Sequence, residues 1–449
     1  MFLYYEVFTL GYEEHDGLFV KTGDTFSYYE PMKSFLDGQG SLDACRMPAF
    51  VPLYAIPYYI FGESVANNFI IFCQFILSIL SVYILGLIAL KLTKNQWIAK
   101  LSILIYAIST FTSQYDLFGI ADSLSISTLI IGVYCYFKFE ENDDLKWILA
   151  SGVFFTWSVF FRQIAIVAYG LIGFYLTVKY IKNKEFIPKL KRLAFFGFPL
   201  IVGLGIWTFY NKQVNNRFIP LVKPISECYS SYPEHHFELN KLPVAWGGIS
   251  TPWNGEAEWF INPKMKKKDF PFNNVFTEEY NLDSLELLRQ THFATFDKER
   301  PQSERDSLAQ IVSEKASLYV QSYKENYPLN YWLINRVVLF KKFLFPKYLD
   351  KLPLPPKNEM NLIEKGIKVF YILLLWFVHF FGLIGMFNRK YFSIPLLLIS
   401  GGIISFLTFY LGWTEQRYLG PVYPFMIIYA SIGIYSIVQL VKKFNLERK

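Results

Sequence analysis

Four short clusters of ionisable residues stand at the ends of long apolar blocks, and they are where chemistry could take place. The first, GDTFSYYE, sets Asp24 one helical turn ahead of Tyr28 and Tyr29; Arg46 follows, just before the proline-punctuated run from Pro48 to Pro57. A carboxylate in this place is a candidate proton acceptor. Its plainer role is to cap a helix over 25–36. The second, SQYDLFGIADSLS, holds Asp116 and Asp122 in a turn between apolar blocks. A carboxylate at the lip of a membrane helix is costly unless it is solvated, paired or used. Asp122 could equally cap a helix with Ser123 and Ser125. The third is Arg162–Gln163, which interrupts an apolar stretch from Trp147 to Tyr180. Its guanidinium is always charged and forks toward oxyanions, so it either reaches an interface or meets an anion such as phosphate. The fourth, WTEQRYLGPVYP, carries Glu415, Arg417 and Tyr418. Residues two apart on a helix do not face each other. Glu415 and Arg417 therefore have separate partners, with a phosphate contact at Arg417 competing against a structural ion pair.

The elements that must position these clusters are set by composition. Of 449 residues 53% are apolar, 19% aromatic and only 18% charged, and mean hydropathy is +0.25. This excludes a disordered or collagen-like chain, and four cysteines exclude a disulfide scaffold. A spanning helix needs about 20 apolar residues at about 1.5 Å rise each, and that ruler gives about nine candidates. They cover 65–91, 98–113, 121–139, 147–161, 163–180, 193–211, 366–387, 391–411 and 421–441. The expected fold is an all-α polytopic membrane protein.

Basic residues orient it. Lys91, Lys94, Lys100, Lys138, Lys146, the run from Lys179 to Arg192, Arg389, Lys390 and the tail all fall on alternate connections. Those connections are expected on the cytoplasmic side. The net charge of +7 thus belongs to loops rather than to a nucleic-acid surface. The other side receives residues 1–64, the 114–120 turn, Arg162, the long segment 212–360 and the turn at 413–418. Expected regions are an external loop segment over 1–64, an N-terminal membrane bundle over 65–211, an external soluble segment over 212–360 and a C-terminal membrane segment over 361–449. An odd number of spans with an external start implies a further helix ahead of Met1, lost by truncation or a misplaced start.

Segment 212–360 reads as water-facing and mixed in structure, between the sixth and seventh spans. Its charged stretches MKKKDF and DKERPQSERD alternate with helical spacing in LDSLELLRQTHFATF and SLAQIVSEKASLYVQSY. Adjacent His235 and His236 suit a solvated loop better than a metal, and no histidine spacing matches a zinc motif. Cys45 and Cys228 are both external and could pair in an oxidising compartment or remain free thiols; Cys73 and Cys135 lie in spans.

Together the clusters resemble the multispanning GT-C glycosyltransferases. The residues carrying the resemblance are Asp24–Tyr28–Tyr29, Arg46–Pro48–Phe50–Pro52–Leu53 and Phe61–Gly62 in the first external loop. Asp122 opening a span, Arg162 between short spans, and Glu415–Gln416–Arg417–Tyr418 with Pro421 and Pro424 complete them. The nearest likeness is to bacterial mannosyltransferase-like and aminoarabinose-transferase-like enzymes; 225–355 resembles nothing familiar. Two departures stand out. No helix precedes the acidic loop, and Thr25 follows Asp24 where the family often has Asp-Glu. A second carboxylate then comes from Asp122, Asp116, Glu30 or Asp43.

The resemblance implies a GT-C-like helical bundle in a bacterial inner membrane with its site on the external face. It implies transfer of a sugar from a polyprenyl-phosphate donor to a glycan, lipid or protein acceptor among membrane lipids, with no nucleic acid involved. Asp24 would be the base and Asp122 would orient the acceptor or a divalent ion, Mg or Mn, with no other cofactor required. Arg162, Arg417 and Arg46 would hold the phosphate. Tyr28, Tyr29, Asp116, Gln163, Glu415 and Tyr418 would line the substrate. Two alternatives compete: an O-antigen polymerase or ligase working through loop arginines, and a transporter or flippase of lipid-linked glycans.

Overall fold

The computed structural model describes residues 15–21, 23–184, 186–223, 225–228, 234–248, 250–251, 254–255, 258–346, 360–391, 393–409 and 416–447. Helices dominate. Among the described residues the strands are two short antiparallel hairpins, His15–Asp16 with Phe19–Val20 and Ser250–Thr251 with Asn254–Gly255. The all-α polytopic expectation is met. Among the described residues five helices are long and apolar enough to cross a bilayer: Glu63–Thr93, Ala165–Lys182, Lys189–Asn215, Leu362–Met386 and Tyr423–Asn445.

The other four apolar blocks are helices of a different kind. Gln96–Ile108 has 13 residues, Leu145–Phe161 has 17 and Ile394–Phe409 has 16. Thirteen residues rise only about 20 Å, short of a hydrocarbon core about 30 Å thick. Local chemistry sets the first of these lengths. Asn95 caps the helix by accepting from the N–H groups of Trp97 and Ile98, and Ser109 breaks it in an extended conformation. Asp122–Asn142 has 21 residues, but its first two turns carry Asp122, Ser123, Ser125, Ser127 and Thr128, all buried.

The chain divides into two compact units. The first comprises 1–223, 348–403 and 419–449; the second comprises 224–347 and 404–418. In the first unit, ion pairs join helix ends that are far apart in sequence. Lys91 meets Glu141, Lys179 meets Glu140 at 2.6 Å, and Arg192 meets Asp143. One end of the bundle therefore gathers the basic connections that the alternation assigned to a single side. Close helix packing uses glycine. A Cβ on Gly385 would run into the carbonyl of Tyr429, and one on Gly433 into that of Phe381, so these two helices touch backbone to backbone.

The second unit packs the helices Glu234–Ala245, Leu282–Ala294 and Gln302–Asn326 around Leu239, Leu242, Trp259, Leu285, Val312 and Tyr323. Arg289 is buried and donates to the carbonyls of Trp259, Asn262 and Met265, which pins the intervening loop. The solvated-loop expectation for His235 and His236 fails. Both are buried in the first turn of a helix, with the His292 ring 5.2 and 5.5 Å away. Both rings meet that of His292, and His235 also meets Phe296, so they go inside. Burial pushes His235 down to about 4 and His292 to about 3, which keeps both neutral near neutral pH.

The glycine contact gives a direct test. Gly385→Val should lower the unfolding temperature in micelles, since overpacking costs about 1–3 kcal/mol. Gly366→Ala is the control, because nothing lies within 4 Å of an added Cβ there. Equal melting of Gly385→Val and wild type would contradict the backbone contact.

Candidate active site

The N-terminal segment folds onto the bundle through an apolar face. Gly23–Leu36 forms a helix with Asp24 in its first turn, and Thr25, Tyr28, Tyr29 and Met32 are buried along one side at helical spacing. Asp24 is therefore inside the helix rather than capping it, and the Ser27 hydroxyl donates to the Asp24 carbonyl at 2.6 Å. The next helix, Val51–Phe61, has proline at its start, where a missing N–H costs nothing. It ends at Gly62, whose φ of 86° and ψ of 178° belong to a region that only glycine adopts readily. That is the physical meaning of the Phe-Gly closing the motif: the chain turns abruptly into Glu63–Thr93.

Aromatic rings weld these pieces together. Tyr29 contacts Phe19 edge-on at 4.9 Å and Tyr54 at 5.5 Å, and Phe50 contacts both Tyr28 and Phe161 at 5.5 Å. Phe161 is the residue before Arg162. The same cluster includes Ile120, Ala121 and Leu124, which flank Asp122. The 114–120 turn is clamped from below by Gln74, whose amide donates to the carbonyls of Asp116 at 2.8 Å and Phe118 at 3.0 Å. Val20 pairs with this turn, donating to Leu117 O at 3.0 Å and accepting from Gly119 N at 3.2 Å. A Cβ on Gly119 would strike Phe19 and lie 3.0 Å from the Thr25 methyl, so no larger residue fits there.

Two ion pairs border this cluster. Arg46 Nη2 lies 3.2 Å from Asp24 Oδ1, its Nε donates to Ser27 Oγ at 2.9 Å, and its guanidinium covers the Tyr28 ring at 4.6 Å. Arg162 directs Nε, at 3.1 Å, and Nη2 onto a single oxygen of Asp122. The other oxygen of Asp122 is buried with no hydrogen-bond partner among the described residues. Exposure separates their roles. The Asp24 side chain is 24% exposed and that of Asp122 is 4% exposed, so Asp24 is the more open of the two carboxylates. A cleft lined by Ser27, Tyr28, Met32, Asp43, Arg46 and Phe50 opens beside the Asp24–Arg46 pair.

The remaining candidates fall as follows. Asp116 is buried, accepts from Ser123, and burial raises it to about 7. Tyr28 and Tyr29 are buried within the aromatic cluster. Gln163 is half-buried in the three-residue break that Arg162 opens between helices. Asp43 accepts from Lys223 at 3.4 Å, and Glu30 is exposed. Arg417 lies over the Tyr418 ring at 5.9 Å, in the turn Gln416–Leu419; both residues belong to the second unit, and the site described here is that of the first. Glu415 lies outside the described residues. Among the described residues no three His, Cys, Asp or Glu side chains are grouped so as to hold a metal ion. No step is assigned to Mg or Mn. Gln74, Ser27 and Ser123 were not among the expected site residues. A glutamine inside the apolar run FCQFIL was the available signal for the first.

Residues 47–207 match the family described as dolichyl-phosphate-mannose-protein mannosyltransferase. The matched stretch includes Gln74, Asp116, Asp122 and Arg162 and begins one residue after Arg46. It supports assignment of the chain as a GT-C glycosyltransferase of the membrane. No curated protein matches the chain.

Two predictions follow from the charges. Removing one partner of a buried ion pair costs about 3–5 kcal/mol, whereas replacing both by apolar groups is often nearly neutral. Arg162→Ala should therefore lower the stability of the purified protein sharply, and Asp122→Leu with Arg162→Met should recover most of the loss in a thermal unfolding cycle. Additive losses would show that the pair does not act as a unit. For Asp116 the folded value is raised above that of the unfolded chain, so folding holds the proton more tightly. Its contribution is complete below about pH 4 and is lost as pH rises toward 7. Relative to Asp116→Asn, wild type should lose stability over that interval; parallel pH profiles would contradict the buried carboxyl.

Proposed function

We propose that this protein transfers a sugar from a polyprenyl-phosphate carrier to an acceptor hydroxyl in a single displacement, at the bundle end where Asp24, Arg46, Asp122 and Arg162 gather. The observation that carries the reading is the partly exposed Asp24 carboxylate, held by Arg46, which Ser27 in turn positions, beside the cleft. The acceptor oxygen attacks the anomeric carbon, and its proton passes to Asp24. The bond from that carbon to the phosphate oxygen breaks, and the carrier phosphate leaves with the electron pair. Arginine at the rim stabilises the charge developing on the phosphate. Asp122, fixed by Arg162 and offering its unpartnered oxygen, orients the acceptor. Attack from the side opposite the phosphate inverts the anomeric centre, as in other single displacements at a sugar carbon.

Three further features support this reading. The carrier's tail needs a lipid environment, and five helices long and apolar enough to span supply one. Cys45, the neighbour of Arg46, is disulfide-bonded, which supports placing this end in an oxidising, non-cytoplasmic compartment such as the bacterial periplasm. The competing polymerase or ligase reading needs available loop arginines. Arg289 is occupied by three carbonyls, and Arg300 by Asp297 and Glu304.

General base catalysis typically contributes about 10²–10⁴-fold. Asp24→Asn should lower transfer by that order in proteoliposomes, with donor binding preserved by calorimetry. Wild-type turnover in the Asn variant, or loss of donor binding with unchanged turnover of what binds, would contradict Asp24 as base.

A further inference from the structure

One stretch of the second unit inverts the usual polarity of a soluble helix. A π-helical turn, Asn330–Ile334, runs directly into the helix Asn335–Leu344. The inner face holds Asn335, Leu339 and Phe343 at four-residue spacing, and Asn335 is fixed there by donating to Ala245 O at 2.8 Å and Tyr323 OH at 3.0 Å. The outward face holds Leu329, Trp332, Leu333, Ile334 and Val337, each between 44% and 62% exposed. A polar side chain is thus buried beside Leu339 and Phe343, while five large apolar ones point away from the core. The wide π turn contributes to this by fanning Trp332, Leu333 and Ile334 toward one side.

Basic groups rim the face. Lys324 covers the Trp332 ring at 5.0 Å, Arg336 covers the Tyr331 ring at 5.1 Å, and Lys341 is exposed. From 324 to 344 there are four basic residues and one acidic one, Glu325. We propose that this face lies in the lipid–water interface of a membrane, with Trp332, Leu333 and Val337 at the headgroup–acyl boundary and Lys324 and Lys341 against anionic headgroups. An apolar stripe with tryptophan and a basic rim is the composition that binds a bilayer surface. Continuity of the chain favours lipid over a protein partner, since the next described helix, Leu362–Met386, is itself long and apolar enough to span. The water-facing segment of the sequence analysis therefore includes a membrane-resting element, and this inference does not depend on sugar transfer.

The test uses the full chain in nanodiscs containing anionic lipid. Single cysteines replace Leu333, Val337 or the exposed control Glu314 in a Cys73→Ser, Cys135→Ser background, and each carries an environment-sensitive fluorophore. Leu333→Cys and Val337→Cys should show blue-shifted emission, quenching by nitroxide-labelled lipid and loss of quenching by iodide in water. Glu314→Cys should show the reverse. Iodide quenching at 333 and 337 equal to that at 314 would overturn the proposal. So would shielding from both quenchers, which would mean that protein covers the face.

Discussion

A carboxylate that stays charged when buried at the lip of a helix bundle needs a cation, and Arg162 is what this chain supplies to Asp122. The requirement organises the surrounding backbone. Arg162 can reach Asp122 because the apolar stretch 145–182 breaks for three residues, leaving Arg162 extended between two helices. Asp122 can face it because the 114–120 turn is held by Gln74 from within the bundle and by Val20 from the N-terminal segment. Removing charge from water is expensive, and two charges tolerate it only in good geometry. The aromatic cluster supplies that geometry by fixing Phe161 and Ala121 in one packed unit. The same cluster carries the helix of Asp24, so the two carboxylates are positioned by one piece of core.

Their unequal exposure turns a stability device into a plausible catalytic arrangement. Asp122 is nearly sealed and keeps one oxygen without a hydrogen-bond partner among the described residues, which suits orientation of a group. Asp24 is partly open and has a guanidinium and a hydroxyl around it, which suits proton transfer. Two carboxylates in different surroundings can take different roles. The family match over 47–207 falls on the part of the chain that builds one of these pairs, and it ends before the second unit begins.

Much of this was legible in the sequence, for physical reasons. Helix positions follow from block length and apolarity, so all nine blocks fold as helices. Lys91, Lys179 and Arg192 could be assigned to one end because basic residues mark alternate connections. Gly62 was visible as the close of a motif, although its backbone conformation was not. The pairings were not legible. Asp122 and Arg162 lie 40 residues apart and Asp24 and Arg46 lie 22 apart, and nothing in either local stretch names its partner. His235 and His236 misled because a histidine pair after a Ser-Tyr-Pro stretch looks solvated. Only the contact of both rings with His292 reveals that they are inside. The outward apolar face at 329–338 was also hidden, since apolar periodicity gives a helix but not which side meets the core.

The account stands on sugar transfer by single displacement at the charged rim of the first unit. The most direct measurement supplies proteoliposomes of the protein with a panel of polyprenyl-phosphate sugars and reads the anomeric configuration of the product by NMR. Transfer from one of these donors with inverted configuration is the expected result. Retained configuration would require a covalent intermediate that the account does not contain, and absence of transfer from every donor would contradict the assigned chemistry itself.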